Sequence, residues 1–201
     1  MLKIFYADIS KAELCGEYAL SKYRQERVNS QKLPNRRKAS IAAELLLISA
    51  IHSCRPDIQP PLDIITGQYG KPELNNQDLH FSLSHSGDFI AAALCDSAVG
   101  VDIQKSAVYS PALVNRFFAE AERDYIEAAQ DKNSAFTEIW SLKESYIKAV
   151  GTGMHMPLNS FSVIEMSGLW HCHLGEYHLA ACVPGRHGVL PDAVEKIDHL
   201  E

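Results

Sequence analysis

Gly100-Val101-Asp102-Ile103-Gln104-Lys105 is a short apolar run that carries one carboxylate near its centre. The run predicts a buried β-strand, in which Asp102 and Gln104 point to the same face because side chains alternate along a strand. A carboxylate near a core is costly unless a partner or a metal ion compensates it. Asp102 is therefore either a structural hydrogen-bonding residue or a ligand of a bound cation.

A second segment, about forty residues further on, is Trp140-Ser141-Leu142-Lys143-Glu144-Ser145-Tyr146-Ile147-Lys148. It predicts a largely apolar helix in which Glu144 and Lys148, four residues apart, are neighbours on one face. One interpretation is an exposed ion pair worth about 0.3–0.5 kcal/mol. The other adds Asp102, so that two carboxylates and a lysine hold a magnesium ion against a phosphate.

Two shorter segments earlier in the chain add polar groups. The predicted strand that ends in Ser84-His85-Ser86-Gly87 offers hydroxyls, an imidazole and loop amides, which are suitable phosphate ligands. A serine-hydrolase nucleophile would lie in a G-x-S-x-G turn, which does not surround these serines. Gly70-Lys71-Pro72 is a turn of a common kind and is by itself a weak signal.

Charge is unevenly distributed along the 201 residues, whose net charge is −6. Ser21–Lys38 holds seven basic residues and one acid, so this window carries a charge of +6. The window is either a solvated helix face or a site for an anionic ligand. We do not expect nucleic acid as that ligand, because the chain as a whole would repel it.

Trp170-His171-Cys172-His173, with His178 nearby, raises the question of a zinc site. In a strand, His171 and His173 share a face while Cys172 points away, which divides the set of ligands. The pattern therefore favours a plain edge strand over a zinc site.

Several features of the sequence predict a protein of the cytoplasm. No run of about 18 apolar residues is present, so we expect no membrane span. Met1–Asp8 lacks the apolar core and cleavage site of a signal peptide and predicts a strand instead. The five cysteines are odd in number and form no C-x-x-C pair, which indicates reduced thiols.

Apolar periodicity and turn signals predict an α+β protein. We expect strands over residues 1–8, 62–66, 79–83, 89–95, 99–103, 161–164, 170–174 and 177–183, and helices over 10–28, 36–54, 111–117, 120–129 and 134–150. Ser10-Lys11-Ala12-Glu13 has the form of a capping box that starts the first helix. Asp96-Ser97 is short enough for a hairpin turn, and a boundary there divides the chain into halves 1–97 and 98–201.

Taken in chain order, these segments resemble a known family. The set comprises Gly70-Lys71-Pro72, Ser84-His85-Ser86, Gly100-Val101-Asp102-Ile103 and Trp140-x-x-Lys143-Glu144-Ser145-x-x-Lys148 followed by Gly151. Each motif alone is unspecific, but the ordered set, within about residues 24–165, resembles the 4′-phosphopantetheinyl transferases of the Sfp type. The resemblance implies two similar α+β halves in a pseudo-twofold arrangement. Coenzyme A would bind in the cleft between them, and one chain would form that cleft as a monomer.

The resemblance also implies a reaction. The phosphopantetheine arm of coenzyme A would pass to a serine of an apo carrier protein, an acidic helical domain, with release of adenosine 3′,5′-bisphosphate. Two rival functions stay open, namely a magnesium-dependent nucleotide hydrolase or kinase and a non-catalytic module that binds carrier proteins. The chain has no G-x-x-x-x-G-K-[S/T] loop, which counts against the commonest nucleotide-binding site.

Individual roles follow from the resemblance, position by position. Asp102 and Glu144 match the magnesium-binding carboxylates, and Gln104 replaces a further acid, which would weaken binding of a hard cation. Glu144 is the candidate base for the carrier serine, with Glu122, which resembles a carboxylate near the acceptor side, as the alternative. The residues expected to contact coenzyme A are Lys148, Ser84 and His85 at the phosphates, Lys71 near the adenine nucleotide, and Arg24 and Arg27 at the 3′-phosphate.

Overall fold

The computed structural model describes residues 1–14, 16–75 and 78–200, which contain nine strands and five α-helices. The strands are β1 (Leu2–Asp8), β2 (Ile64–Thr66), β3 (Pro72–Leu74), β4 (His80–Ser86), β5 (Phe89–Cys95), β6 (Gly100–Lys105), β7 (Leu169–Leu174), β8 (Tyr177–Cys182) and β9 (Ala193–Lys196). The helices are α1 (Lys22–Ser30), α2 (Pro34–Cys54), α3 (Pro111–Phe117), α4 (Glu120–Ala128) and α5 (Lys132–Val150). Two short 3₁₀ helices cover Gly153–His155 and Leu158–Ser160.

Two sheets form the centre of the fold. The first has the strand order β4-β5-β1-β9, in which β1 pairs antiparallel with β5 and parallel with β9. The second is the antiparallel sheet β6-β8-β7. β2 and β3 form a separate antiparallel pair. Sheets with largely antiparallel pairing and segregated helices confirm the predicted α+β class.

The two sheets pack face to face, and helices cover their outer sides. Leu2 and Ile4 of β1 share an apolar cluster with Val101 of β6, which lies between the sheets. On the outer side of the first sheet, α2 contributes Leu46 to a second cluster. On the outer side of the second sheet, α5 contributes Ile139 to a third. The C-terminal half thus repeats the helix-on-sheet arrangement of the N-terminal half.

Alternate serines of β4 join the two sheets along one edge. The Oγ atom of Ser82 accepts a hydrogen bond from the backbone amide of Val101 at 3.0 Å. The Oγ atom of Ser86 accepts one from the amide of Lys105, also at 3.0 Å. Ser84 lies between them and points the same way because side chains alternate along a strand. These bonds fix β4 beside β6 and direct Ser84 into the site described below.

The first helix begins later than predicted. The expected helical start at Ser10-Lys11-Ala12-Glu13 is wrong, since this segment forms a turn and a loop. α1 begins after Ser21, whose Oγ accepts a hydrogen bond from the amide of Arg24 at 3.1 Å and donates one to the buried Glu44 of α2 at 2.9 Å. Glu44, 23 positions away in sequence, holds this N-cap serine in place, and that tertiary contact leaves no local sequence signal.

Two predictions about strands are also wrong. Asp96-Ser97 is not a hairpin turn, because β5 and β6 lie in different sheets and the aspartate accepts a hydrogen bond from Arg186 at 2.6 Å. Residues 161–164, which lie within the described ranges, form a loop rather than a strand. The backbone groups of this loop instead bond to side chains, with Lys143 donating at 2.7 Å and Glu122 accepting at 2.8 Å.

β9 is a strand that the sequence pattern does not predict. It comes from the C-terminal half and completes the N-terminal sheet by parallel pairing with β1. The two strands are separated by almost the whole chain, and such a pairing leaves little local signal. β3, which pairs with β2, is likewise absent from the sequence prediction.

The described residues bear on two expectations, one on membrane spans and one on the state of the cysteines. Among them, no helix is both long and apolar enough to cross a membrane. The cysteines within the described ranges, Cys54, Cys95, Cys172 and Cys182, are free thiols. Cys15 lies outside the described residues.

Gly100 begins β6 where the strand packs directly under α5. A Cβ atom at this position would lie 1.9 Å from the backbone oxygen of Ser145 and 2.5 Å from the backbone nitrogen of Ala149. We therefore expect Gly100→Ala to lower the free energy of unfolding by about 2–3 kcal/mol, measured by urea denaturation. Gly16→Ala is the control, because its Cβ would lie 3.8 Å from Tyr18. Equal stability of the two variants would contradict this packing.

Candidate functional site

A cleft of about 710 Å³ opens where α1, α2 and β4 face α5. This volume lies within the range of small-molecule and cofactor pockets. The predicted site residues that line the cleft are Arg24, Arg27, Lys71, Ser84, His85, Glu144 and Lys148. Side chains from separate segments of the sequence therefore converge on one cavity.

Ser84, Asp102 and Lys148 form the centre of the site. The Oδ1 atom of Asp102 accepts hydrogen bonds from the Ser84 hydroxyl and from the Lys148 ammonium, both at 2.7 Å. Lys148 also donates to the Ser84 Oγ atom at 2.8 Å. Asp102 is only 5% exposed, whereas the Lys148 side chain is 29% exposed. β4, β6 and α5 thus each contribute one member of a compact polar cluster.

The second oxygen of Asp102 has an unusual environment. Among the described residues, Asp102 Oδ2 is buried without a hydrogen-bond partner. Burial, and then the nearby Asp102 carboxylate, raise the pKa of the Glu144 carboxyl, while Lys148 opposes the shift. Two mutually repelling carboxylates, one with a buried oxygen that lacks a partner, fit a hard divalent cation that prefers oxygen ligands. Asp102 and Glu144 are thus the residues that could hold Mg²⁺.

Gln104 lies on the same face of β6 as Asp102, as expected from strand alternation. It is half-buried and pairs in register with His178 of β8. Its cross-strand neighbour is therefore an imidazole rather than a further carboxylate. A role for Gln104 as a metal ligand stays a prediction.

Positive charges converge around His85. Its side chain is exposed but lies in the concave wall of the cleft, where partial desolvation lowers the pKa of the imidazole. The nearby charges of Lys148, Arg24 and Arg36 lower this pKa further, and Asp102 opposes the shift. His85 is therefore neutral at pH 7. Arg36, a further residue of the basic window, also lines the cleft.

Arg24 and Arg27 have different surroundings. Arg24 is 7% exposed, and its Nε atom pairs with the fully buried Glu44 at 3.2 Å. A terminal guanidinium nitrogen of Arg24 also donates to the Ser40 hydroxyl at 3.3 Å. Arg27 is exposed, and its guanidinium carbon lies 5.6 Å from the centre of the Tyr23 ring. Arg24 is therefore held in place by the protein, while Arg27 is the more available to a ligand.

Lys71 lines the cleft, but its ammonium contacts the backbone. It donates to the carbonyl oxygens of Val99 at 3.1 Å and of Ala149 at 3.0 Å. Burial lowers the pKa of Lys71, and Glu73 opposes that shift. The Ala149 carbonyl lies in the last turn of α5, where a cation is favourable. Lys71 thus secures this helix end, and its contact with a ligand stays a prediction.

The structure argues against Glu122 at the acceptor side of the site. Glu122 is 0% exposed, and both carboxylate oxygens accept hydrogen bonds from the Lys143 ammonium at 2.7 Å. The amides of Ala119 and Val163 donate to the same carboxylate at 2.8 Å. A general base must reach the proton that it removes, and this buried carboxylate does not line the cleft. We therefore assign Glu122 a structural role with Lys143.

The α+β fold positions a cleft lined by several cationic side chains around an acidic centre, and comparisons with known proteins identify the family. The sequence model of the 4′-phosphopantetheinyl transferase superfamily matches residues 98–180. The 4′-phosphopantetheinyl transferase Sfp of Bacillus subtilis (strain 168) is 40% identical over 102 residues, which are 49% of this chain and 45% of that protein. The 4′-phosphopantetheinyl transferase AcpT of Salmonella typhi is 30% identical over 171 residues, which are 80% of this chain and 84% of that protein.

The chain belongs to the 4′-phosphopantetheinyl transferase superfamily, and its similarity to Sfp supports the Sfp type. The alignments span about half the length of the first curated relatives that the chain matches. A crystal structure of Thermotoga maritima holo-[acyl-carrier-protein] synthase is similar at 17% identity and a TM-score of 0.33, over 42% of this chain and 60% of that one.

Proposed function

We propose that this chain transfers the 4′-phosphopantetheine arm of coenzyme A to a serine of an apo carrier protein and releases adenosine 3′,5′-bisphosphate. The observation that carries the proposal is the cleft lined by Lys148, His85, Glu144 and the arginines, in which Lys148 is bonded to the buried Asp102. Coenzyme A presents a pyrophosphate and a 3′-phosphate, which match two separate groups of cationic side chains. Membership of the superfamily supports the same activity.

The two groups of phosphate-binding side chains, Lys148 with His85 and Arg24 with Arg27, have different tasks. Lys148 is fixed by Asp102 and Ser84, so its ammonium is positioned in advance to contact the pyrophosphate oxygens. His85, next to it, offers a neutral imidazole to the same oxygens. Arg24 and Arg27 lie on α1, where a guanidinium can bind the 3′-phosphate with two parallel hydrogen bonds. Positioning and charge neutralisation are the main needs of phosphoryl-type transfer.

We propose Asp102 and Glu144 as ligands of Mg²⁺, with Gln104 as a doubtful third. Asp102 contributes the buried Oδ2 atom, which has no other partner among the described residues. When bound, Mg²⁺ would supply Lewis-acid neutralisation of charge on the phosphate oxygens. Asp102 also orients Lys148, so one carboxylate organises two cationic contacts to the same part of the substrate.

Glu144 is the proposed base for the carrier serine. Its carboxylate lines the cleft, while the alternative, Glu122, is fully buried and paired with Lys143. A base in the cleft wall can reach a serine hydroxyl that enters from solvent, which is the geometric requirement for proton removal. The serine oxygen would then attack the phosphorus that carries the pantetheine arm.

We further propose that the two halves of the chain bind different parts of coenzyme A, and that the protein is a monomer of the cytoplasm. Residues 1–97 would bind the 3′-phosphate and adenine side of coenzyme A, and residues 98–201 would supply the metal and phosphate site. Arg36, Arg37 and Lys38 at the start of α2 would either add to the 3′-phosphate contacts, as the position of Arg36 in the cleft wall allows, or form a basic surface for an acidic carrier protein. A monomer in the cytoplasm fits one chain that builds the whole cleft and carries free thiols at its described cysteines.

Arg27 gives a test of the 3′-phosphate contact. We expect Arg27→Ala to raise the KM for coenzyme A by about 10-fold or more, because a hydrogen bond to a charged group contributes about 1.5–3 kcal/mol. The KM for 3′-dephospho-coenzyme A should change little. Arg116→Ala, at an exposed position of α3, is the matched control for lost positive charge. Equal effects of Arg27→Ala on the two substrates would contradict the assignment.

A product assay separates the proposal from its rivals. The chain is incubated with Mg²⁺ and either coenzyme A plus apo carrier protein or ATP alone, and nucleotide products are resolved by chromatography. We expect adenosine 3′,5′-bisphosphate only when coenzyme A and carrier are both present. Hydrolysis of ATP would favour the nucleotide hydrolase. Carrier binding without any product would favour the non-catalytic module.

A further inference from the structure

Three histidines outside the cleft converge on one face of the C-terminal sheet. β7 and β8 pair antiparallel, with His173 opposite His178 and His171 opposite Ala180. Residues at alternate positions and in register share a face, so His171, His173 and His178 project to the same side. Cys172 points away from His171 and His173, as the sequence predicts. His178 of the neighbouring strand supplies a third imidazole on their face instead.

The geometry of the three rings approaches that of a metal site. One ligand nitrogen from each histidine lies within 4.8 Å of the other two. The Nε2 atom of His171 and the Nδ1 atom of His178 are 3.1 Å apart and share a hydrogen bond, which a bound ion would replace. Metal–nitrogen bonds of about 2.0–2.1 Å place neighbouring ligand nitrogens about 3.0–3.4 Å apart in tetrahedral or octahedral sites. The His171–His178 pair has this spacing, and the third ligand nitrogen lies within 4.8 Å of both.

The environment of the rings also suits metal binding. His178 is 1% exposed, His171 is half-buried and His173 is exposed, so the cluster has a fixed inner side and an open outer side. Burial first, and then repulsion from the other imidazoles of the cluster, lower the pKa of His171 and of His178 to about 4. Neutral imidazole is the form that binds metal ions.

Carboxylates on α5 complete the surroundings. Burial raises the pKa of the Glu138 carboxyl and His173 opposes that shift, which places Glu138 near His173. Burial and His173 lower the pKa of His178, and the carboxylate of Asp131, the N-cap of α5, opposes that shift. These carboxylates place negative charge near a dication that the imidazoles would hold. Cys172 packs with the apolar cluster between the sheets, on the other face, and takes no part.

We propose that His171, His173 and His178 form a binding site for a borderline divalent transition-metal ion, represented by Zn²⁺, that is distinct from the Asp102–Glu144 site. Imidazole nitrogens select zinc, cobalt, nickel or copper over magnesium, which prefers oxygen ligands. The bound ion cross-links the end of the β7–β8 hairpin and stabilises the folded chain. The inference goes beyond the proposed transferase function and does not rest on it.

The test is Zn²⁺ binding to the untagged full chain by calorimetry in saturating Mg²⁺, with Co²⁺ absorption spectra as a report on coordination. We expect one Zn²⁺ per wild-type chain and visible bands for a low-coordinate Co²⁺ ion. His173 is exposed, so His173→Ala should fold normally. Its Zn²⁺ affinity should fall by more than the loss of about 10–100-fold that follows removal of an outer-shell partner. His187→Ala, an exposed histidine elsewhere, is the matched control and should bind as the wild type does.

Asp102→Asn locates the bound ion. It should retain Zn²⁺ binding if the ion lies at the histidines. Equal affinity of the wild type and His173→Ala, or loss of binding in Asp102→Asn, would overturn the proposal. Neither result would bear on transfer to a carrier protein, which is measured separately.

Discussion

Asp102→Asn should slow carrier-protein loading by at least about 100-fold, an effect typical of removing one group that stabilises transition-state charge. Asparagine keeps an oxygen that can accept from Ser84 and Lys148, but it lacks the negative charge that a hard cation requires. Initial rates by intact mass spectrometry of the carrier, at saturating Mg²⁺ and coenzyme A, measure the loss.

The same variant should leave the stability of the fold unchanged or improved. Asp102 is 5% exposed and, among the described residues, its Oδ2 atom has no hydrogen-bond partner, so the charge carries a desolvation cost. The partly exposed Lys148 can be hydrated when its partner becomes neutral. Asp124→Asn removes an exposed carboxylate of α4 and serves as the control, with wild-type rate expected. Full activity of Asp102→Asn would refute the metal assignment.

Lys143→Met should destabilise the protein by about 3–5 kcal/mol, the typical cost of leaving a buried charge without its partner. Lys143 is 1% exposed and Glu122 is 0% exposed. Burial lowers the pKa of Lys143, and the hydrogen bonds to Glu122 oppose that shift. Without the ammonium, the Glu122 carboxylate keeps the Ala119 and Val163 amides but loses its counter-charge. The free energy of unfolding in urea is the measurement.

A second substitution tests the cause of that loss. Glu122→Gln added to Lys143→Met removes the unpaired charge, so the double variant should recover part of the stability. Lys132→Met breaks an exposed ion pair with Glu127 and should have a far smaller effect. If Lys143→Met is no more destabilising than Lys132→Met, the buried pair does not support the fold as described.

The sequence predicts much of the site because its signals are local. Periodicity places β5 at Phe89–Cys95 and α3 at Pro111–Phe117, with the bounds that the structure shows. Alternation along β6 puts Asp102 and Gln104 on one face, and helical spacing aims Glu144 and Lys148 in one direction. The left-handed Gly151, with a φ of 74°, ends α5 where the glycine predicts a helix stop.

What the sequence does not reveal depends on distant partners. Glu44 of α2 holds the N-cap serine of α1, and Lys143 pairs with Glu122 across 21 residues of chain. The third imidazole of the histidine cluster comes from β8 through strand register. β9 pairs with β1 at the opposite end of the chain. A single sequence shows which groups are present, but tertiary pairing decides which of them meet.

The most direct test of the central claim is the intact mass of an apo carrier protein after incubation with this chain, coenzyme A and Mg²⁺. Acyl, polyketide and peptide carriers are tried in parallel, each beside a variant whose acceptor serine is replaced by alanine. We expect at least one carrier to gain the mass of a single phosphopantetheine arm, with no gain in its serine variant or when EDTA removes Mg²⁺. No gain in any carrier, from a folded chain that binds coenzyme A, would contradict the claim.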